Sequence, residues 1–297
     1  MLIEWIDDRY RWWWPYAGLS FFCAMLAGVI YFSWPSSTTF EEADTSAPTF
    51  GTIEDLTQYE NFRSAYLEAN GGETSIASIL SIRNSGVMIS GDSEVPFFTI
   101  KRRPDKSLTT FKMREYDLSF GVDGETIWQR IKADGQAPNY EIKTGAEAQA
   151  LAEMGEFFDS TMSTLLHNKG NIERLSSSQW SGTDTVKVEF TPKTNQTKVT
   201  AHFDIHSMQQ LARIEKFSDG RTRKTLYDDY RNVAGMLEPF TIETYMDDVL
   251  QSRILVEKCE ANVGAILSLF KYPSQLKDTA KKPNVDLNYK LLDQANE

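Results

Sequence analysis

Over residues 81–131 the chain reads as a series of short segments in which apolar and polar residues take turns. Val87 and Ile89 alternate with Met88 and Ser90, and Phe98 and Ile100 alternate with Thr99 and Lys101. A period of two is the pattern of a strand that buries one face. The breaks fall at Gly86, Gly91-Asp92, Pro104-Asp105 and Asp123-Gly124. Asp-Gly tolerates the positive φ of a two-residue hairpin loop, so Asp123-Gly124 predicts a tight turn. The stretch is therefore an antiparallel meander, the kind of sheet that can bury one face and wet the other.

The alternation returns after Asn171. Val186, Val188 and Phe190 alternate with Lys187 and Glu189, and Val199, Ala201, Phe203 and Ile205 repeat the pattern. Residues 211–217, 221–227, 240–246 and 254–258 predict further strands, and Asp219-Gly220 a second hairpin. Between the two β runs, residues 144–167 predict helix. They carry Leu151, Met154, Phe157, Phe158, Met162, Leu165 and Leu166 among small residues. Asp159-Ser160-Thr161 can divide that helix, because Asp and Ser favour caps. Residues 54–69 place Leu56, Tyr59, Phe62, Tyr66 and Leu67 at helical spacing, an aromatic stripe that reads as core, and Asn70-Gly71-Gly72 ends it. Short helices are predicted over 73–80 and 264–270. The fold class is mainly β (α+β). About ten strands form one strongly curved antiparallel sheet or incomplete β-barrel, its concave face covered by helices.

Residues 16–34 break this pattern. They hold no charge over 19 positions, long enough to cross a bilayer core as one helix. Trp12, Trp13, Trp14 and Tyr16 stand at one end and Tyr31 and Trp34 at the other, as in interfacial aromatic belts. No small-x-small cleavage site follows, which favours a transmembrane anchor over a signal peptide. Arg9 and Arg11 place the short segment 1–15 in the cytoplasm and the bulk of the chain outside it. Residues 35–52, rich in Ser, Thr, Pro and acids, read as a linker. The folded domain then spans 53–274, and 275–297 form a polar tail.

The net charge is −11, and nearly all of it belongs to the part beyond the apolar run. An acidic domain lacks the basic footprint of a nucleic-acid binder. Cys259 is the one cysteine outside the apolar run, so that part holds no intramolecular disulfide. Neither G-x-S-x-G nor H-E-x-x-H occurs. His202, Asp204 and His206 alternate and would share one strand face. Positions two apart on a strand lie about 6.6–6.8 Å from each other, a poor fit to ligands at roughly 2.0–2.2 Å from one ion. A solvated face is the better reading. Asp228-Asp229 and Asp247-Asp248 read as turn or edge charges. No catalytic constellation, metal site or cofactor site emerges, and the chain does not read as an enzyme.

Five pieces in order carry a resemblance: YLEANGG closing the first helix, SIRNSGV, IKRRPDK, the hairpin GVDGETIW, and the run from 239 to 273. They resemble the periplasmic lipoprotein-carrier superfamily, the LolA/LolB-like lipoprotein-sorting proteins, over most of residues 53–273. The resemblance implies an incomplete β-barrel with an α-helical lid over a hydrophobic cavity that receives acyl chains. It implies that Val87, Ile89, Phe98, Ile100, Leu151, Met154, Phe157, Phe158, Met162 and Leu165 form cavity and lid. A plain helix packed on a sheet explains the residues of 151–165 equally well. Soluble carriers of the family hold the lid closed with a strand arginine. Arg103, just before Pro104, matches it, with Arg102 leaving the register open. The anchor departs from the family's soluble carriers. The expected role is a single-pass inner-membrane protein with its bulk in the periplasm. It would be a carrier or chaperone for lipid or acylated lipoprotein, working locally or beside a membrane transporter. The alternative is an envelope sensor or partner-binding module on the same fold.

Overall fold

The computed structural model describes residues 50–167, 170–193 and 197–273. The predicted cytoplasmic segment, the anchor at 16–34, nearly all of the linker and the tail at 275–297 lie outside the described residues. Among the described residues, no helix is long and apolar enough to cross a membrane.

The domain is one 13-stranded antiparallel sheet. The first wing is β1 (Ser81–Ser90), β2 (Ser93–Arg102), β3 (Lys106–Lys112), β4 (Tyr116–Asp123), β5 (Thr126–Ala133) and β6 (Asn139–Ile142). The second is β7 (Gly170–Trp180), β8 (Thr183–Pro192), β9 (Lys198–Asp204), β10 (Gln210–Lys216), β11 (Thr222–Val233), β12 (Met236–Met246) and β13 (Val249–Ala261). The strand order is β6-β5-β4-β3-β2-β1-β13-β12-β11-β10-β9-β8-β7, so the sheet is curved but unclosed, with β6 and β7 as its edges. The count exceeds the expected ten partly because the short β6, after Asp134-Gly135 and Pro138, carries no clear alternation.

Local chemistry sets the turns. Ser90 pairs with Ser93 around Gly91-Asp92, where Gly91 has φ +55°. Asp123 pairs with Thr126, so the tight loop is Gly124-Glu125, one residue later than expected. Gly124 takes φ +63° and Asp123 stays in the ladder. At Asp219-Gly220 the loop is wider: Phe217 N donates to the Arg221 carbonyl at 2.9 Å.

Among the described residues, five α-helices accompany the sheet: α1 (Ile53–Leu56), α2 (Tyr59–Ala69), α3 (Gly72–Ser78), α4 (Gly145–Gly155) and α5 (Ser160–His167). The single helix expected over 54–69 is broken at Thr57-Gln58. There the Thr57 hydroxyl donates to the Glu54 carbonyl at 2.7 Å and Asn61 Nδ2 to the Asp55 carbonyl at 3.2 Å. Such side chain–backbone bonds compete with helix continuation. Asp159 divides the second helical stretch as expected, its Oδ1 accepting from Met162 N at 2.7 Å.

The main core forms where α1, α2 and α5 meet β8 and β9. Leu56, Phe62, Tyr66 and Leu165 pack on Val186, Val188, Phe190 and Phe203. The rings of Phe62 and Phe203 meet edge to face at 5.1 Å, a favoured aromatic geometry. A second cluster sets Leu151 and Ala148 of α4 on Val122 and Ile127. A third lies on the opposite face, where the segment after β13 brings Ala265 and Phe270 against Ile100. Trp128 Nε1 fixes this strap by donating to the Phe270 carbonyl at 2.7 Å. The helix expected over 264–270 is one 3-10 turn, Leu267–Leu269.

Candidate functional site

The helices define an inner face of the sheet. Lys101 belongs to it, because its Nζ donates to the Glu156 carbonyl in the α4–α5 elbow at 2.6 Å. Cross-strand pairs carry the assignment along: Ile82 opposes Lys101, Asn84 opposes Thr99, Gly86 opposes Phe97, and Met88 opposes Val95. On the other side, Asn84 opposes Cys259, Gly86 opposes Val256 and Met88 opposes Ile254. Directly opposed residues share a face, and successive residues do not.

This corrects the expected cavity lining. Val87, Ile89, Phe98 and Ile100 lie on the outer face. Ile100 is 3% exposed because Ala265 and Phe270 cover it, with Phe98 and Leu108 packed alongside. Val87 opposes Pro96 and Leu255, and Ile89 opposes Glu94 and Arg253. The C-terminal strap makes the outer face apolar, so alternation alone marked the wrong side. The inner face of β2 instead carries Phe97, Thr99 and Lys101.

The helices close only the flanks of that inner face. Val122 and Ile127 are buried beneath α4, and Val186, Val188 and Phe203 beneath α1, α2 and α5. Between them, Met88, Phe97, Phe111, Ile242 and Ile254 are half-buried. They form a half-covered apolar strip across the middle of the sheet, a shallow trough in which Phe97 and Ile254 pack beside the buried Phe240 and Val256.

The expected lid residues divide into two sets. Leu151 packs on Val122, while Phe157, Phe158, Met162 and Leu165 join the main core with α1 and α2. Met154 is 45% exposed and contributes to neither, against expectation. It lies on the solvent side of α4, whose core side carries Ala148 and Leu151.

Arg102 and Arg103 part company at the end of β2. Arg102 Nη1 donates to the carbonyl of Ala265 and so holds the outer strap. Arg103 turns to the helices. Its Nη2 donates to the Ile76 carbonyl at 2.7 Å, and its guanidinium carbon lies 4.7 Å from the Phe158 ring and 5.0 Å from the Phe157 ring. Arg103 Nε is buried without a partner. Partial burial pulls this group below its usual pKa, yet guanidinium remains charged at any ordinary pH. Beside it is a cavity of about 370 Å³, lined by Pro104, Val122, Gly155, Phe157 and Ser163 among others.

The sheet interior also holds polar groups that periodicity did not single out. Burial pushes the Glu238 carboxyl up to about 7, against the pull of Lys101 and with a push from Asp159. Burial pulls Lys101 down, opposed by Glu238, Asp159 and Glu156. Asn84 Oδ1, between them in strand order, is buried and has no hydrogen-bond partner. Further round, Glu215 is 1% exposed and pairs with Arg213 at 2.8 Å and with Arg223. The available signal was the parity of Lys101 with Thr99, polar positions on a strand that is apolar on its other side.

His202 is not on a solvated face. It is buried beneath Trp180, ring centroids 4.7 Å apart, with Nδ1 3.4 Å from Thr185 Oγ1. Burial, then the charge of Lys187, lowers its pKa. The strand ends at Asp204, whose carboxylate accepts from His206 N at 2.6 Å and Ser207 N at 3.0 Å. His206 therefore lies in a turn. Among the described residues, no group of three or more His, Cys, Asp or Glu is placed to hold a metal ion.

No protein-family model matches the sequence, and no curated protein matches it. Solved structures do match the fold. A LolA superfamily protein from Nitrosomonas europaea is 11% identical, with a TM-score of 0.50, over 72% of this chain and 97% of its own. The MucA/MucB complex of Pseudomonas aeruginosa matches at 12% identity and TM-score 0.26, over 72% of this chain and 62% of that one. A MucB structure matches at 15% identity and TM-score 0.22, with 74% and 63% covered.

Proposed function

Because the chain has a LolA-like fold, we propose that it is a membrane-anchored periplasmic carrier or chaperone for the acyl chains of a lipid or acylated lipoprotein. The observation that carries this reading is the apolar trough of Met88, Phe97, Phe111, Ile242 and Ile254, only half-covered between two helix-covered flanks. A chain laid there gains about 0.8 kcal/mol per buried methylene. The elbow between α4 and α5 acts as the movable part of the lid, with Arg103 as its latch. Residues 16–34 anchor the protein in the inner membrane, where a membrane transporter is the natural source or recipient of cargo. The direct test is mass spectrometry of the organic extract of the purified full-length protein. Acyl species should accompany the wild type and be lost from Phe97→Asp. Equal extracts from both would overturn the reading. Amino-terminal sequencing tests the anchor, and a mature chain beginning after Trp34 would overturn it.

One observation favours a second reading, a partner-binding module that regulates an envelope complex. A groove of about 370 Å³ on the outer face is lined by Trp180, Leu211, Leu226, Thr241 and Glu243 among others. Persistent extraction of lipid-free protein with a stoichiometric partner would favour this second role.

A further inference from the structure

The trough is not apolar throughout. Toward the α4–α5 elbow its floor turns polar within two neighbouring strands. Asn84 of β1 opposes Thr99 of β2, and Lys101 is the next inner-facing residue along β2. Asn84 and Lys101 are therefore diagonal neighbours on one face, a separation of about 7–8 Å between strand positions.

Their hydrogen-bond states are complementary. Asn84 Oδ1 is buried and accepts nothing. An orphaned buried acceptor is costly, so it calls for a donor. Lys101 gives one bond to the Glu156 carbonyl and, as an ammonium, keeps two further donors. The floor thus offers one acceptor and a cationic donor set, side by side, at the polar end of an apolar trough. Thr99 between them is already engaged, its Oγ1 3.1 Å from Thr109 Oγ1.

We infer that Asn84 and Lys101 form a head subsite for an acyl amide: the amide N–H donates to Asn84 Oδ1 and its carbonyl accepts from Lys101 Nζ. An ester or tertiary amide has the carbonyl and no N–H, and leaves Asn84 Oδ1 buried and unsatisfied. A free carboxylate meets Lys101 but presses its charge on Asn84 Oδ1. The acyl chain runs from this point along Phe97, Met88 and Ile254, away from the elbow. The inference rests on the acyl-binding reading and adds the linkage by which cargo is chosen.

The test uses two probes of equal chain length, N-methyldodecanamide and N,N-dimethyldodecanamide, each displacing Nile red from the full-length protein. They differ only in that a methyl group replaces the N–H hydrogen. The secondary amide should bind about tenfold more tightly, the effect expected for pairing one buried acceptor. Asn84→Ala should bring that ratio to about one while circular dichroism stays unchanged. Lys101→Met should weaken both probes and leave the ratio standing, because both keep the carbonyl. Equal binding of the two probes to wild type, or a ratio that survives Asn84→Ala, overturns the inference while leaving acyl binding intact. Failure of both probes to displace the dye overturns the acyl-binding reading and this inference with it.

Discussion

Arg103 Nη2 donates to the backbone carbonyl of Ile76 across 2.7 Å, tying the end of β2 to the last turn of α3. The same guanidinium lies over the rings of Phe157 and Phe158, so one side chain joins sheet, α3 and the α4–α5 elbow. A hydrogen bond to a charged donor contributes about 1.5–3 kcal/mol. Arg103→Leu should speed amide exchange over residues 145–165 and the release of a fluorescent fatty-acyl probe. Arg102→Leu should leave both nearly unchanged, because Arg102 holds the outer strap. Equal release rates for wild type and Arg103→Leu would remove the latch from the mechanism.

Glu238 makes stability depend on pH. Its carboxyl is raised from 4.5 to about 7 in the folded protein, first by burial. Between these values the unfolded chain ionises while the folded chain stays protonated, so stability falls as pH rises through the window. The fall amounts to at most about 3 kcal/mol for this one group. Glu238→Gln should flatten the slope of urea-unfolding stability between pH 5 and 7.5 and stabilise the protein at the upper end. An unchanged slope would show that Glu238 ionises normally.

Gly155 ends α4 against the sheet. A Cβ there would meet Ser107 Oγ and lie 2.9 Å from Val122 Cγ2. The hydroxyl of Ser107 can rotate away, but Val122 is buried and cannot yield without disturbing Ile127 and Leu151. Gly155→Ala should cost about 1–3 kcal/mol in urea unfolding, as overpacking typically does. It should also raise probe exchange by lifting the elbow. A neutral result would mean that α4 shifts freely on β4.

Phe270 is fully buried beneath the outer strap, against Ile100 and Ala265. Phe270→Ala should cost about 3–5 kcal/mol, the usual range for an aromatic core truncation. Acyl-probe affinity should survive at temperatures where the variant remains folded, because the strap lies on the face away from the trough. Parallel loss of binding by folded protein would place cargo on the outer face instead.

How much of this was legible follows from what each residue's neighbours are. Gly91 and Gly124 are local signals, so their hairpins were readable to within a residue. The aromatic stripe of α2 and the Asp159 break were readable for the same reason. Which face of β2 looks inward was not. Phe98 and Ile100 are the more apolar set, yet they meet a strap more than 160 positions along the chain, at Ala265 and Phe270. Only the assembled sheet shows that Phe97, Thr99 and Lys101 face the trough. Asn84 and Glu238 were silent for a related reason: polar residues on strands read as solvent-facing until their far neighbours are known.

The strand order also fixes when the domain can be completed. Of the ladders, all but one join strands that follow each other directly in the chain, and each can zip as its hairpin emerges. The exception joins β1 to β13, with Ile82 opposite Ala261. During synthesis β1 must wait with a bare edge until the final strand arrives, the condition under which sheets pair with the wrong neighbour. Gly86 sits on that waiting edge, where any Cβ would collide with the carbonyl of Leu255. A side chain at this position would let every local hairpin form and still forbid the closing step, so Gly86 variants should accumulate as aggregates of well-formed halves.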